Sequence, residues 1–286
     1  MKVKILCDST CDATQEILKN NDIDYLPLIV NLGDDERFDT VNITNEDIRN
    51  YVKQTSKLPK TAARSSEDYK NFYKKYLDEG YEIVFVSISE QLSVSCHNAN
   101  SAAQELDPDK VFVVDGRSLS TGSLLLALSG KALADQGKSA KEIADILSQR
   151  AYHTQASFVV DTLDYLRKGG RCSTLAAFGA NLLKIKPKLQ LVDGKLVSTE
   201  KYRGKMNVIL KKYVDDTLEL YNNPDTTRCF VTHADADKEV VEEIVAHLKE
   251  KNIFKEILIT TAGSTIYSHC GKGTLGILYI NDGGNY

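Results

Sequence analysis

The sequence has no apolar run long enough to cross a membrane, since its apolar stretches fall far short of the roughly 18 residues that a spanning helix needs. The apolar segment near the amino end lies within MKVKILCDST and is too short for a secretory signal peptide. We therefore expect a protein of the cytoplasm.

Cysteine is scarce and basic residues are not concentrated anywhere. The six cysteines of this 286-residue chain are too widely spread for a disulfide framework, and none forms a C-x-x-C pair, so we interpret them as reduced thiols. Lys and Arg number 36 against 40 Asp and Glu, which gives a net charge of −4. Because no basic block could follow a phosphate backbone, the composition argues against a nucleic-acid partner.

The sequence also lacks a glycine-rich phosphate loop. The turn after the first predicted strand reads CDSTCDAT, and the later HCGKGT carries Gly273 where a phosphate loop needs Ser or Thr. HADAD places His233, Asp235 and Asp237 within five residues, but this segment lies between a strand and a helix whose start needs a cap. We predict helix capping by Asp235 or Asp237, and no metal or cofactor.

A cysteine nucleophile is an open alternative. Cys96 precedes His97, and His269 precedes Cys270, yet neighbouring side chains on a strand or helix point apart and do not form a nucleophile and base pair. A hydrolase would have to pair such a thiol with a base from elsewhere in the fold.

The first half of the chain alternates short apolar runs with helical patterns. Continuous apolar runs are typical of strands buried on both faces of a parallel sheet. We predict these strands at Val3–Cys7, Tyr25–Val30, Glu82–Ile88 and Lys110–Asp115. A helix follows the capping candidates Ser65 and Ser66, and Leu124–Gln136 forms another. This half is predicted to be a doubly wound α/β unit, whose ligands bind at the carboxyl ends of the strands.

The second half shows a different pattern. Asp193-Gly194 between alternating residues predicts a β-hairpin, and later strands are expected at Cys229–His233, in EILITTA and in GTLGILYI. Because 286 residues exceed the usual size of one hydrophobic core, we predict two domains. They comprise residues 1–153 and residues 154–286, the second an α/β domain with a mixed sheet.

Hydroxyl side chains recur at predicted strand ends and helix starts. Ser9 and Thr10 follow the first strand, Thr61 is expected at a helix start, and Ser93 lies in the SISEQLSVS segment. The glycine pair in DYLRKGGR is predicted to end a helix, which places Arg171 on a turn. If these groups converge with His269, they form a pocket for one negative group.

The order of several motifs resembles the DegV family of fatty-acid-binding proteins. The match runs from about Lys4 to Ile280. Its blocks are CDST, KLPKTA, SISEQLSVS, VVDGRSLSTG, LDYLRKGGR, IKPKLQLVDGKL, KYRGK, THADAD and HCGKGTLGI. The resemblance implies a two-domain α/β fold that holds one long-chain fatty acid in an apolar tunnel between the domains.

The resemblance also implies site residues and a partner. Thr61 and Ser93 match the hydroxyls that contact the carboxylate, and Arg171 and His269 match residues near the same group. The implied partner is a separate fatty acid kinase subunit that phosphorylates the bound carboxylate to an acyl phosphate for phospholipid synthesis. The protein itself is then a non-catalytic subunit. The resemblance is also compatible with a transient contact with a membrane.

Four further residues are secondary candidates for contact with the carboxylate. Arg64 adds a cation where the family usually has none, Val94 replaces a glycine, and Ser95 and Thr274 lie within the matched blocks SISEQLSVS and HCGKGTLGI. Two alternatives to the kinase subunit stay open: a lipid carrier or storage protein without a kinase partner, and the cysteine-dependent hydrolase.

Overall fold

The computed structural model describes residues 2–172 and 185–284. Its strands are β1 (Lys2–Asp8), β2 (Asp24–Leu26), β3 (Ile29–Leu32), β4 (Asp35–Phe38), β5 (Lys60–Ala62), β6 (Tyr81–Ser87), β7 (Val111–Asp115), β8 (Thr154–Val159), β9 (Lys186–Val192), β10 (Lys195–Tyr202), β11 (Arg228–Ala234), β12 (Glu256–Thr261) and β13 (Thr274–Ile280). Its α-helices are α1 (Gln15–Asn20), α2 (Asn45–Thr55), α3 (Ser66–Leu77), α4 (Ser95–Leu106), α5 (Thr121–Asp135), α6 (Ala140–Arg150), α7 (Asp164–Gly169), α8 (Met206–Leu220), α9 (Lys238–Glu250) and α10 (Ser264–Cys270).

The first half contains a parallel sheet with the strand order β2-β1-β6-β7. Helices cover both faces, because Leu6 and Phe85 pack with α3 and α4 while Ile5 and Val84 pack with α5 and α6. The predicted α/β class and the parallel sheet of the first half are confirmed. A capping box between Ser65 and Asp68 starts α3, as the sequence indicated for this helix.

The prediction of one strand over Tyr25–Val30 is wrong. Pro27 lacks a backbone N–H and interrupts the run, so only β2 joins the parallel sheet. Beyond Pro27, β3 belongs to a separate antiparallel sheet with the order β4-β3-β5. This small sheet places Thr61 on β5, opposite Val30.

The second half forms a sheet of order β10-β9-β8-β13-β11-β12, in which only the β11–β12 pair is parallel. The predicted mixed sheet is therefore confirmed. The hairpin at Asp193-Gly194 is also confirmed, and both residues have positive φ, 49° and 74°, as a type I′ turn requires. Helices α8 and α9 cover one face of this sheet.

The other face of the mixed sheet packs toward the first half. Phe158 and Leu278 share one apolar cluster with Ile5 and with the buried helix α5. Because this cluster includes residues from both halves, the division into residues 1–153 and 154–286 stays a prediction. Within residues 2–172 and 185–284, no helix is both long and apolar enough to cross a membrane.

Candidate functional site

A cavity of about 710 Å³ lies where the two halves meet. This volume falls in the usual range of small-molecule sites. Its apolar wall comes from both halves and includes Leu28, Ile88, Leu119, Phe158, Leu166, Leu196, Ile266 and Leu278. Seven of the eight residues predicted for the site line this cavity, namely Thr61, Arg64, Ser93, Val94, Arg171, His269 and Thr274. Ser95 does not line it.

Thr61 and His269 form a hydrogen bond between the two halves. The Thr61 Oγ1 atom lies 2.8 Å from His269 Nε2. Thr61 was expected at a helix start, but it lies on β5, where pairing with β3 fixes its backbone. His269 lies in the last turn of α10. The two residues that the resemblance assigned to one carboxylate are therefore in direct contact.

His269 is neutral at physiological pH. Burial, together with the nearby charge of Arg171, lowers the pKa of its ring to about 4. Gly169 packs directly against the ring, since a Cβ at this position would lie 2.7 Å from His269 Nδ1. A neutral imidazole has one N–H, so His269 contributes a hydrogen bond to the site and not a charge.

Ser93 lies just before the amino end of α4, and its hydroxyl is held by Ser95. Ser95 N–H donates to Ser93 Oγ at 3.2 Å, and the two hydroxyl oxygens are 2.9 Å apart. Ser95 is fully buried behind Ser93. Val94 has φ of −74°, so no glycine is needed for this turn, and its side chain is 62% exposed. The amino end of α4 adds partial positive charge near Ser93.

Arg171 follows the predicted glycine turn. Helix α7 ends at Gly169, and Gly170 takes the left-handed conformation with φ of 69°, so the predicted helix end is confirmed. Arg171 Nη1 donates to Gly169 O at 2.8 Å, and its side chain lies at an exposed part of the cavity wall. The guanidinium therefore supplies positive charge close to His269 while staying accessible to solvent.

The comparison with known proteins identifies the family. The family model described as "Uncharacterised protein, DegV family" matches residues 2–282. The chain belongs to the DegV family. A fatty acid-binding protein of Thermotoga maritima is 35% identical to it over 285 residues, which cover 96% of each chain.

Two solved structures share this DegV fold along the whole chain. A DegV family protein from Thermus thermophilus, described by its fatty acid binding, superposes with a TM-score of 0.91 at 28% identity and covers 99% of this chain and 100% of its own. A stearic acid-binding protein from Eubacterium ventriosum superposes with a TM-score of 0.83 at 26% identity, with 98% of both chains covered. Relatives in this family thus bind fatty acids.

The remaining predicted candidates of this DegV protein have structural contacts of their own. Thr274 donates its hydroxyl to Cys270 O at 3.0 Å. Arg64 Nη2 donates to Asp68 Oδ1 at 2.8 Å. Thr274 can therefore offer a ligand only its lone pairs, whereas Arg64 keeps other N–H groups for a ligand.

Three buried carboxyl groups support the cavity wall, and the sequence interpretation missed them. Asp8 accepts from the backbone and hydroxyl of Thr10, and Asp12 accepts from Ser120. Both hydroxyl residues line the cavity. Asp39 accepts from Ser9 Oγ at 2.8 Å. The sequence signal for Asp8 and Asp12 was the pair of acids in CDSTCD, near the end of β1, and Asp39 had no comparable signal.

Asp12 also joins the two halves of the DegV fold. Gly263 N–H, at the start of α10, donates to Asp12 Oδ1 at 2.8 Å. Burial raises the pKa of Asp12 well above its usual value, and the bonds from Ser120 and Gly263 oppose that shift. Since α10 carries His269, this contact helps to fix the position of the histidine.

The HADAD segment does not behave as predicted. Asp237 occupies the N-cap position of α9, but its side chain makes no capping hydrogen bond, and Asp235 instead pairs with Arg49. The prediction is therefore right about the N-cap position of Asp237 and wrong about a capping hydrogen bond, and the Asp235 carboxylate is taken by the ion pair between the halves. In the part of the chain that the structure describes, no group of three or more His, Cys, Asp or Glu residues could hold a metal ion.

The two cysteines considered as nucleophiles are poorly suited to that role. Burial, with added effects of Asp115 and Glu90, raises the pKa of Cys96 to about 12. Burial likewise raises the pKa of Cys270 to about 12. Because the thiolate is the reactive form, both groups are unreactive thiols near neutral pH.

Proposed function

We propose that this DegV protein binds one long-chain fatty acid in the 710 Å³ cavity, with the carboxylate at Thr61 and Ser93. The observation that carries the proposal is that the hydroxyls of Thr61 and Ser93, a neutral histidine and the cation Arg171 line one cavity together with an extensive apolar wall. The fatty acid binding of the relatives supports it. In this proposal the two predicted domains, residues 1–153 and 154–286, enclose the lipid between them.

The acyl tail supplies most of the binding free energy. Burying a methylene group yields about 0.8 kcal/mol, so a tail of about 15 methylenes contributes roughly 12 kcal/mol before the costs of association. Lost translational freedom and ordering of the chain take back a large share of this amount. An apolar wall is therefore the main requirement for affinity.

The carboxylate decides the orientation of the lipid. A buried anion without hydrogen bonds is very costly, so the head needs donors and a compensating charge. If His269 donates its Nε2–H to Thr61 Oγ1, the Thr61 hydroxyl proton is free to bond to the carboxylate. Arg171 offsets the negative charge from the exposed side of the cavity.

We further propose that the protein is a non-catalytic subunit that presents the carboxylate to a separate fatty acid kinase in the cytoplasm. The exposure of Val94 and Arg171 at the cavity wall supports this, because a partner can reach the head group there. A carrier or storage protein has the same cavity and no kinase. The two roles differ in whether a kinase subunit with ATP converts the bound acid to an acyl phosphate, and Arg171→Ala is expected to slow that step more than lipid uptake.

Native mass spectrometry of the purified protein, compared with the denatured sample, tests lipid binding. One fatty acid per chain is the expected result. The double variant Thr61→Val, Ser93→Ala should retain less lipid, while the double variant Thr55→Val, Ser148→Ala removes two hydroxyls that bond to helix carbonyls and serves as the control. A protein that neither carries nor takes up fatty acid contradicts the proposal.

A further inference from the structure

The guanidinium of Arg64 is held in a fixed orientation beside the cavity. Its Nη2 atom donates to Asp68 Oδ1 at 2.8 Å, and its Cζ atom lies 4.9 Å from the centre of the Phe38 ring. The side chain is only 17% exposed. An arginine fixed at one nitrogen and against one ring has little freedom to turn its remaining N–H groups.

One of those remaining groups is an unsatisfied donor. Arg64 Nε is buried and has no hydrogen-bond partner among residues 2–172 and 185–284. Arginine is always protonated in proteins, so this N–H cannot avoid the cost by losing its proton. A buried donor without a partner is expensive, and a charged one more so, which calls for a physical explanation.

The neighbouring acceptors do not satisfy this donor. Asp68 Oδ2 already accepts from the backbone N–H and the hydroxyl of Ser65, and Asp68 Oδ1 accepts from Arg64 Nη2. Asn98 acts as a donor here, since its Nδ2 bonds to Arg64 O at 2.7 Å. Arg64 lines the same cavity as Thr61 and Ser93, so a ligand bound there is a candidate for the missing acceptor.

We propose that Arg64 Nε–H donates to the anionic head of the bound lipid, so that Arg64 selects a carboxylate over a neutral lipid head. The proposal rests on the proposed function and adds a specificity residue to its site. A hydrogen bond from a charged donor to a carboxylate is among the strong ones, whereas an alcohol head gains less from the same contact.

Binding of two lipid probes to delipidated protein tests this role. The probes are octadecanoic acid and octadecan-1-ol, which share one tail and differ in head charge. The variants are Arg64→Lys, which keeps a charge without the Nε–H group, and Arg64→Met, which keeps a long apolar stem. Arg37→Lys is the matched control, because Arg37 Nε–H donates to Asp35 and neither residue lines the cavity.

We expect both Arg64 variants to bind octadecanoic acid about tenfold more weakly and octadecan-1-ol less than twofold more weakly than the unmodified protein. The affinity of the control for both probes should be unchanged. The resonance of a ¹³C-labelled carboxyl group in the bound acid should also shift in Arg64→Lys and not in the control. Thermal unfolding of the lipid-free variants establishes that each is folded.

Equal weakening of both probes indicates a packing role and overturns the proposal. Unchanged affinity for the acid also overturns it. If the unmodified protein binds neither probe, the proposed function itself fails. A further outcome is that the unmodified protein binds the acid, that loss of the Thr61 and Ser93 hydroxyls weakens this binding, and that the Arg64 variants leave it unchanged. In that case only the present inference fails.

Discussion

Gly194, at the tip of the β9–β10 hairpin, offers a sharp test of how the cavity is closed. Its carbonyl accepts a hydrogen bond of 2.8 Å from the buried hydroxyl of Ser89. The carbonyl of Ser89 in turn accepts the N–H of Ser93, in the loop that carries the proposed carboxylate contact. Two residues past the tip, Leu196 lines the cavity and is 5% exposed. The hairpin and the loop therefore meet beside the cavity, and both contribute to its wall.

The substitution Gly194→Ala acts on this contact in two ways. Gly194 has φ of 74°, and a side chain in this region costs about 1 to 2 kcal/mol. The added Cβ would also lie 2.6 Å from Ser89 Oγ, so the hydrogen bond must lengthen or break, at a net cost of about 1 kcal/mol. The total loss in the free energy of unfolding is thus about 2 to 3 kcal/mol.

The control Gly137→Ala separates the two effects. Gly137 has φ of 85° and no atom within 4 Å of an added Cβ, so it tests backbone strain alone. Thermal unfolding should show Gly194→Ala melting about 2 °C below the control, which corresponds to the lost hydrogen bond. Stopped-flow measurement should show faster release of a bound fatty acid only in Gly194→Ala. Equal losses of stability and equal release rates in both variants refute this reasoning.

Two further predictions follow from the pKa of buried groups. The unfolded chain has a histidine pKa of about 6.5 and His269 a pKa of about 4, so the unfolded state takes up a proton first as the pH falls. The stability that neutral His269 contributes is complete above about pH 6.5 and is lost toward pH 4, with about 2 kcal/mol lost by pH 5. Denaturant unfolding at pH 7.5 and at pH 5 should show a smaller loss in the free energy of unfolding for His269→Gln than for the unmodified protein. An identical loss in the two proteins contradicts the assignment. Cys96 and Cys270 should react with a thiol reagent at pH 7.5 orders of magnitude more slowly than in the denatured chain. Fast modification of either thiol in the folded protein restores the hydrolase hypothesis.

Local sequence signals predicted most of the regular structure. The apolar runs around Ile5 and Val84 indicated the parallel sheet because both faces of those strands are buried. Asp193-Gly194 indicated its hairpin because both positions need positive φ. These features depend on neighbouring residues, so the sequence contains the information directly.

Features that depend on distant pairing were not predictable in this way. Thr61 lies on a three-residue strand whose existence depends on β3, and no periodic pattern marks so short an element. The contact between Thr61 and His269 joins residues 208 positions apart, and only the resemblance to a family brought them together in advance. The buried carboxyls of Asp8, Asp12 and Asp39 escaped notice because acidic residues are seldom buried without partners.

The hydrogen bond between Thr61 and His269 has a consequence for synthesis of the protein. The hydroxyl is translated early and the imidazole late, so the ribosome must complete α10 before the two groups can meet. A chain that ends before His269 lacks that imidazole and all of β13, which pairs with both β8 and β11 in the second sheet. A nascent chain therefore cannot complete the cavity until nearly all of it has been made, and each molecule forms the full cavity wall in a single late step.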